Sequence, residues 1–277
     1  MTTKLIKWND TILGFNNNLI GQYTYCPEFQ DVYDYWTNKP SDEDAVIWNN
    51  MVETLISSRV WATRDAFYFT AIHTNNDGEA QVNWKNPGGA YDLTLINSPT
   101  FTQYEGFTGA AGKALDTNYI PLSNAVKFLV NAFSNSVYQR DNNTNGSMMG
   151  CWDSLNVRNW IAWDSTTTMT FGLNRTGHVV LGVNQDRGMH IYGTYMGHYI
   201  NNGVDKVDMD YAGITLPNRS LYIGAMNWGF IYGGAAKQYS HASIGGLLDI
   251  DNDITLAQSL TNAVETALDA KGKGVAS

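Results

Sequence analysis

Period-two alternation of apolar and polar side chains runs through the middle of this chain and breaks at turn formers. Leu221, Ile223 and Ala225 alternate with Tyr222, Gly224 and Met226, which predicts a strand with one set of side chains on each face. A loop rich in glycine and aromatics follows at 227–237. Beyond it Ala242 and Ile244 alternate with Tyr239, His241 and Ser243, which predicts a returning strand. Further runs at 91–96, 100–107, 126–133, 160–163, 169–173, 178–183 and 188–195 are separated by turns such as Asn75-Asn76-Asp77-Gly78, Asn86-Pro87-Gly88-Gly89 and Asn201-Asn202-Gly203. Many short strands with no helical pattern between them predict an antiparallel sandwich from about residue 66 to 248.

The period changes to that of a helix twice. Ser41 can cap a helix whose first turn holds Asp42, Glu43 and Asp44 and whose apolar stripe is Val46, Trp48, Met51, Val52, Leu55 and Ile56. Val60, Trp61 and 67–69 then predict extended chain. Near the end, Leu256, Leu260, Val264 and Leu268 line one face of a second helix, with Thr255 and Gln258 as a capping box and Gly272 as its stop. Residues 1–38 keep no single period. They predict an apolar arm with extended pieces at 11–15 and 19–23, a turn at 16–18, and no part in folding the sandwich.

Composition narrows the possible partners. Of 277 residues only 16% are charged, and the net charge is −9 with lysine and arginine scattered. A nucleic-acid surface needs clustered cations, so this class is set aside. No run of about 18 apolar residues predicts a membrane span. The opening MTTKLIKWNDTILGF has no apolar signal-like core, which predicts synthesis and folding in a cytoplasm. Cys26 and Cys151 are expected as two unpaired thiols.

Several stretches together resemble a family. Residues 44–69 read DAVIWNNMVETLISSRVWATRDAFYF. Val82-Asn83-Trp84-Lys85-Asn86-Pro87, Phe107-Thr108-Gly109, Leu115-Asp116-Thr117-Asn118-Tyr119-Ile120-Pro121 and Leu221-Tyr222-Ile223-Gly224-Ala225 follow in order. This resembles a group of tailed-bacteriophage virion proteins, head decoration or fibre or tail, over about residues 40–270. The resemblance implies a mainly β protein: an antiparallel jelly-roll β-sandwich, concanavalin A-like, with an N-terminal helical and extended segment and a C-terminal helix. The corresponding division is 1–80 for assembly, 81–250 for the sandwich and 251–277 for the helix and tail. It implies a non-enzymatic structural subunit exposed on the virion. Its partners would be itself, as a homo-oligomer with a trimer the usual number for fibres, other virion proteins, and host or mucosal glycans. A receptor-recognising lectin module and a glycoside hydrolase are the alternatives within the same fold.

Candidate chemistry is sparse. A retaining glycosidase needs two carboxylates close together. The glutamates are Glu28, Glu43, Glu53, Glu79, Glu105 and Glu265, and none has a carboxylate two or four residues away on a strand. The acids at 249–253 lack the central glycine and final glutamate of a calcium loop. The five histidines have no ligand spacing, although His190 and His198 could meet in space, and no Gly-x-Ser-x-Gly elbow exists. No catalytic residue, metal ligand or cofactor is therefore assigned. The candidate contact with a glycan or partner is the loop carrying Asn227, Trp228, Phe230, Tyr232 and Lys237. A second aromatic group, Trp160 and Trp163 with Asn156 and Arg158, could serve the same purpose, although strand tryptophans more often fill a core.

Overall fold

The computed structural model describes residues 24–141, 145–165, 167–182, 186–194, 199–207, 213–248 and 254–275. The chain enters through helices α1 (Pro27–Tyr35), α2 (Asp42–Ser57) and the single turn α3 (Val60–Thr63). Five strands follow: β1 (Arg64–Phe69), β2 (Thr94–Ile96), β3 (Thr100–Thr102), β4 (Gly106–Thr108) and β5 (Ala114–Asp116). After the one-turn α4 (Pro121–Asn124) come β6 (Phe133–Gln139), β7 (Gly146–Trp152), β8 (Arg158–Ser165), β9 (Thr168–Arg175), β10 (Val179–Gly182), β11 (Gly188–Thr194), β12 (Tyr199–Asn201) and β13 (Val204–Val207). The last strands are β14 (Tyr222–Ile223), β15 (Met226–Asn227), β16 (Ile231–Tyr232) and β17 (Gln238–Gly245), and α5 (Thr255–Asp269) closes the chain.

Two antiparallel sheets form the expected sandwich. The first has the order β13-β12-β11-β6-β17-β4-β3, with β1 sharing the edge of β17. The second has the order β10-β9-β8-β7-β14-β5-β2, and β15 joins it through a parallel bridge from Asn227 to Cys151. Ile161, Trp163, Phe171 and Leu173 of the second sheet meet Phe133, Val137, Tyr192 and Ile244 of the first in one apolar core. A chain of amides crosses that core. Asn135 Nδ2 donates to Asn159 Oδ1 at 2.7 Å, Asn159 Nδ2 donates to Asn174 Oδ1 at 2.9 Å, and Asn174 Nδ2 donates to the Val130 carbonyl at 3.2 Å. Each amide nitrogen of the chain finds an acceptor, while Asn135 Oδ1 is buried without a hydrogen-bond partner.

The helices add a third layer, over the opposite face of the first sheet. Phe67 and Phe69 of β1 and Trp84 lie beneath Phe29 of α1 and Trp36 just after it; these two rings meet edge-on at 6.1 Å, and Trp36 meets Trp48 of α2 edge-on at 5.6 Å. Helix α2 begins as expected, with Ser41 Oγ accepting from the Asp44 amide at 3.2 Å. It packs along α5, where Ala257, Leu260, Val264 and Leu268 are buried.

Several sequence expectations need correction. The segment 24–38 is not an extended arm: Pro27 starts helix α1, and Phe29, Val32 and Trp36 belong to the core. The pieces expected at 11–15 and 19–23 lie outside the described residues. A division at residue 80 cuts a continuous sheet, because β1 already pairs with β17. Val60 and Trp61 form a helical turn before the strand. The run expected at 126–133 is a loop with Val126 and Leu129 exposed, and strand β6 starts only at Phe133. Thr255 does not cap α5; Ile254 holds that position without a side-chain bond. The strand expected from Leu221 breaks at Gly224, where φ is +83° and the Tyr239 ring leaves little room for a side chain. Finally, a bulge between Tyr239 and His241 sends Tyr239 inward, away from the face shared by His241 and Ser243. The acids at 249–253 and His198 lie outside the described residues.

Candidate functional site

The outer face of the second sheet carries an aromatic surface. On β7 and β8 the register opposes Trp152 to Arg158 and Gly150 to Trp160; on β9 Gly172 lies opposite Trp160. The two glycines are what let Trp160 lie flat, since a side chain at either would collide with it. Trp160, Ala162 and Met226 form a small apolar cluster against which Trp152 packs. Trp152 is then enclosed on both faces. The Arg158 guanidinium sits 3.6 Å from its ring centre, and Trp228 stacks on it at 4.3 Å with planes 3° apart.

Local hydrogen bonds build this surface. In the β7–β8 turn, Asp153 Oδ1 accepts from the amides of Leu155 (2.8 Å) and Val157 (2.9 Å), and its Oδ2 accepts from the Asn218 amide at 3.1 Å. Asn156, at φ +61°, accepts a hydrogen bond from Trp152 Nε1 at 3.1 Å. Across the face, β15 and β16 make a hairpin in which the Trp228 amide donates to the Phe230 carbonyl at 3.0 Å. Gly229 turns it with φ +81°, and a side chain there would meet both terminal nitrogens of Arg219 at 3.0 Å. Trp228, Phe230 and Tyr232 remain 37%, 57% and 44% exposed and contact one another at 5.4–6.4 Å.

Of the five loop residues singled out in the sequence, three form the exposed surface and two do not. Asn227 is a brace: it is 7% exposed, its Nδ2 donates to Ser220 and its Oδ1 accepts from the Gly229 amide. Lys237 is fully buried, with Nζ donating to Gln139 Oε1 at 3.3 Å, and burial lowers its pKa to about 7. The second sequence candidate divides as well. Trp163 enters the core between the sheets and Trp160 is covered on the outer face, but Arg158 and Asn156 join the exposed surface through Trp152. The two candidate groups therefore meet at one place. Trp152 is the residue the sequence reading missed. Its only local signal is its place in a strand with Gly150, and the stack with Trp228 comes from the distant pairing of β15 with β7.

Cationic groups border this surface. The Arg158 guanidinium reaches His178 Nδ1 at 2.8 Å, and β9 places Arg175 opposite Arg158. Partial burial lowers the Arg158 pKa from the ordinary arginine value, with no neighbouring acid to oppose the shift.

Pairs of groups of the kind used in bond-making chemistry lie elsewhere. Ser136 Oγ and His241 Nε2 are 3.0 Å apart, but both residues are enclosed, Ser136 also bonds Ser243, and His241 Nδ1 has no hydrogen-bond partner. A base so enclosed, with its pKa pulled down to about 3 by burial, lacks the orienting acid and the access that a nucleophilic pair requires. Burial raises both cysteine pKa values, the opposite of an activated thiolate. Among the described residues no cluster of three His, Cys, Asp or Glu could hold a metal. Glu105 pairs with Lys273, Glu79 accepts from Asn38, and Glu265 accepts from Tyr138.

No protein-family model matches the sequence, and no curated protein matches it. Among solved structures the chain is similar to Trypanosoma rangeli sialidase in complex with sialic acid, with a TM-score of 0.48, 9% identity, and coverage of 79% of this chain and 38% of that one. It is also similar to the botulinum neurotoxin serotype D binding domain, with a TM-score of 0.47, 8% identity, and coverage of 72% and 52%. The chain thus spans about two-fifths of the sialidase and about half of the toxin domain.

Proposed function

We propose that this chain is a non-enzymatic sandwich module that binds glycans through the Trp152–Trp228 surface, and that it serves as an exposed, oligomeric subunit of a phage particle. The observation that carries the binding part is the run of exposed rings on Trp228, Phe230 and Tyr232, held rigidly by the Trp152 stack and bordered by Asn156 and Arg158. The C–H faces of a sugar ring pack on aromatic faces, and side-chain amides and guanidinium groups bond its hydroxyls. The surface is open and has no paired carboxylates, which suits holding a glycan better than cleaving one. The particle and the oligomer rest on the short motifs around Trp84, Asp116 and Tyr222.

A glycan array tests the binding. The full chain is expected to bind a subset of spots, and Trp228→Ala to lose at least about tenfold in affinity, the loss of one good aromatic contact. Its melting temperature should stay within a few degrees, since Trp228 is a surface residue. Binding that survives in Trp228→Ala would move the site elsewhere. Release of reducing sugar from bound glycans would remove the non-enzymatic part. Light scattering that reads the mass of one chain would remove the oligomer.

A further inference from the structure

The charge around the aromatic surface has a sign opposite to that of the chain as a whole, whose net charge is −9. Arg158 covers one face of Trp152 and donates to His178 Nδ1, and Arg219 lies beneath the Gly229 turn. Among the described residues no carboxylate pairs with Arg158 or Arg219, and Nε of each is buried without a hydrogen-bond partner. Asp153, the acid of the adjoining turn, has both oxygens engaged by backbone amides. A partly desolvated guanidinium without a counter-ion is costly, and an incoming anion relieves that cost.

Resting on the glycan reading above, we propose that the ligand is an acidic oligosaccharide: its carboxylate or sulfate is held at Arg158, with Arg219 adding field, while a neighbouring sugar lies on Phe230 and Tyr232. Two stacked indoles separate the cationic end from the most exposed rings, a length that suits more than one sugar unit. A neutral glycan would use the rings and offer the guanidinium groups hydroxyls, but would leave their charge without a counter-ion.

The test is an array of neutral, sialylated, uronate-containing and sulfated oligosaccharides, read with the full chain and with Arg158→Gln and Arg158→Lys. Acidic spots are expected to outbind their neutral counterparts by at least about tenfold, the size of one charge-assisted hydrogen bond. Arg158→Gln should erase that preference, and Arg158→Lys should keep most of it. Added salt should weaken the acidic spots more than the neutral ones. Comparison of carboxylate with sulfate spots separates the two anions. Equal binding of acidic and neutral counterparts overturns the acidic assignment and leaves the glycan reading intact. The same loss in the Lys as in the Gln variant also overturns it, because the effect then comes from packing on Trp152. Absence of binding at every spot overturns both readings.

Discussion

A chain truncated to begin at Lys39 is expected to lose its cooperative fold, not merely its partners. Phe29 and Val32 of α1 and Trp36 at its end are buried in the common core, and the Phe29 and Trp36 rings meet Trp84 and Trp48. Replacing one buried Phe or Trp by Ala costs about 3–5 kcal/mol. Removing two such residues and Val32 at once therefore matches the whole stability of an ordinary domain, about 5–15 kcal/mol. The expectation that the first 38 residues could be removed with the sandwich intact fails for this reason. Thermal unfolding followed by near-ultraviolet circular dichroism checks it. The truncated chain should show no sharp transition and should bind a hydrophobic dye, and a cooperative melt close to that of the full chain would refute the role of α1. The single variant Trp36→Ala is the graded form, expected to lower the melting temperature by roughly 10 °C.

Acidification should destabilise the fold well before most carboxylates titrate. His190 and His241 are buried, and desolvation pulls both pKa values to about 3, against 6.5 for an exposed imidazole. Lys237 adds to the shift at His190, and Arg64 to that at His241. The unfolded chain therefore binds more protons than the folded one from pH 6.5 down to about 3, and stability falls as pH falls through that window. Between pH 6.5 and 4.5 each histidine accounts for roughly 2–3 kcal/mol. Lys237, with its pKa lowered to about 7, acts with the same sign at higher pH: stability falls from about pH 10.5 to 7 and then levels off. Burial raises Asp92 and Asp116, which opposes the trend only near the ordinary carboxylate range. Melting temperatures at pH 8, 6.5 and 4.5 measure the effect. The double variant His190→Gln, His241→Asn should show a flatter profile between 6.5 and 4.5 from whatever starting stability it has. Parallel profiles would exclude the imidazoles as the cause.

Much of the architecture is legible in the sequence because local signals agree with the fold. Ser41 and the acids after it mark the start of α2, and the alternation around Trp160 and Phe171 marks β8 and β9. Helix α1 escapes because its buried stripe is only Phe29 and Val32 and follows directly on a stretch of apolar residues with no period. The bulge at Ser240 and the break at Gly224 escape because each depends on a partner distant in sequence, the strand β6 in one case and the Tyr239 ring in the other. The site divides in the same way. Exposed loop aromatics can be read locally, whereas the burial of Lys237 against Gln139 needs β17 beside β6, and the stacking of Trp152 on Trp228 needs β15 beside β7.

The amide chain through Asn135, Asn159 and Asn174 bears on mechanics as well as packing. Apolar contact between two sheets resists their separation but has little direction, so it opposes sideways sliding weakly. Hydrogen bonds have direction and act as dowels between β6 and β8. A tethered ligand pulling on Trp152 and Trp228 loads one sheet, and the helical layer at the far side rests on the other. Under the binding proposed above, the bond from Asn135 to Asn159 would oppose sliding of the loaded sheet over the one that carries the helices.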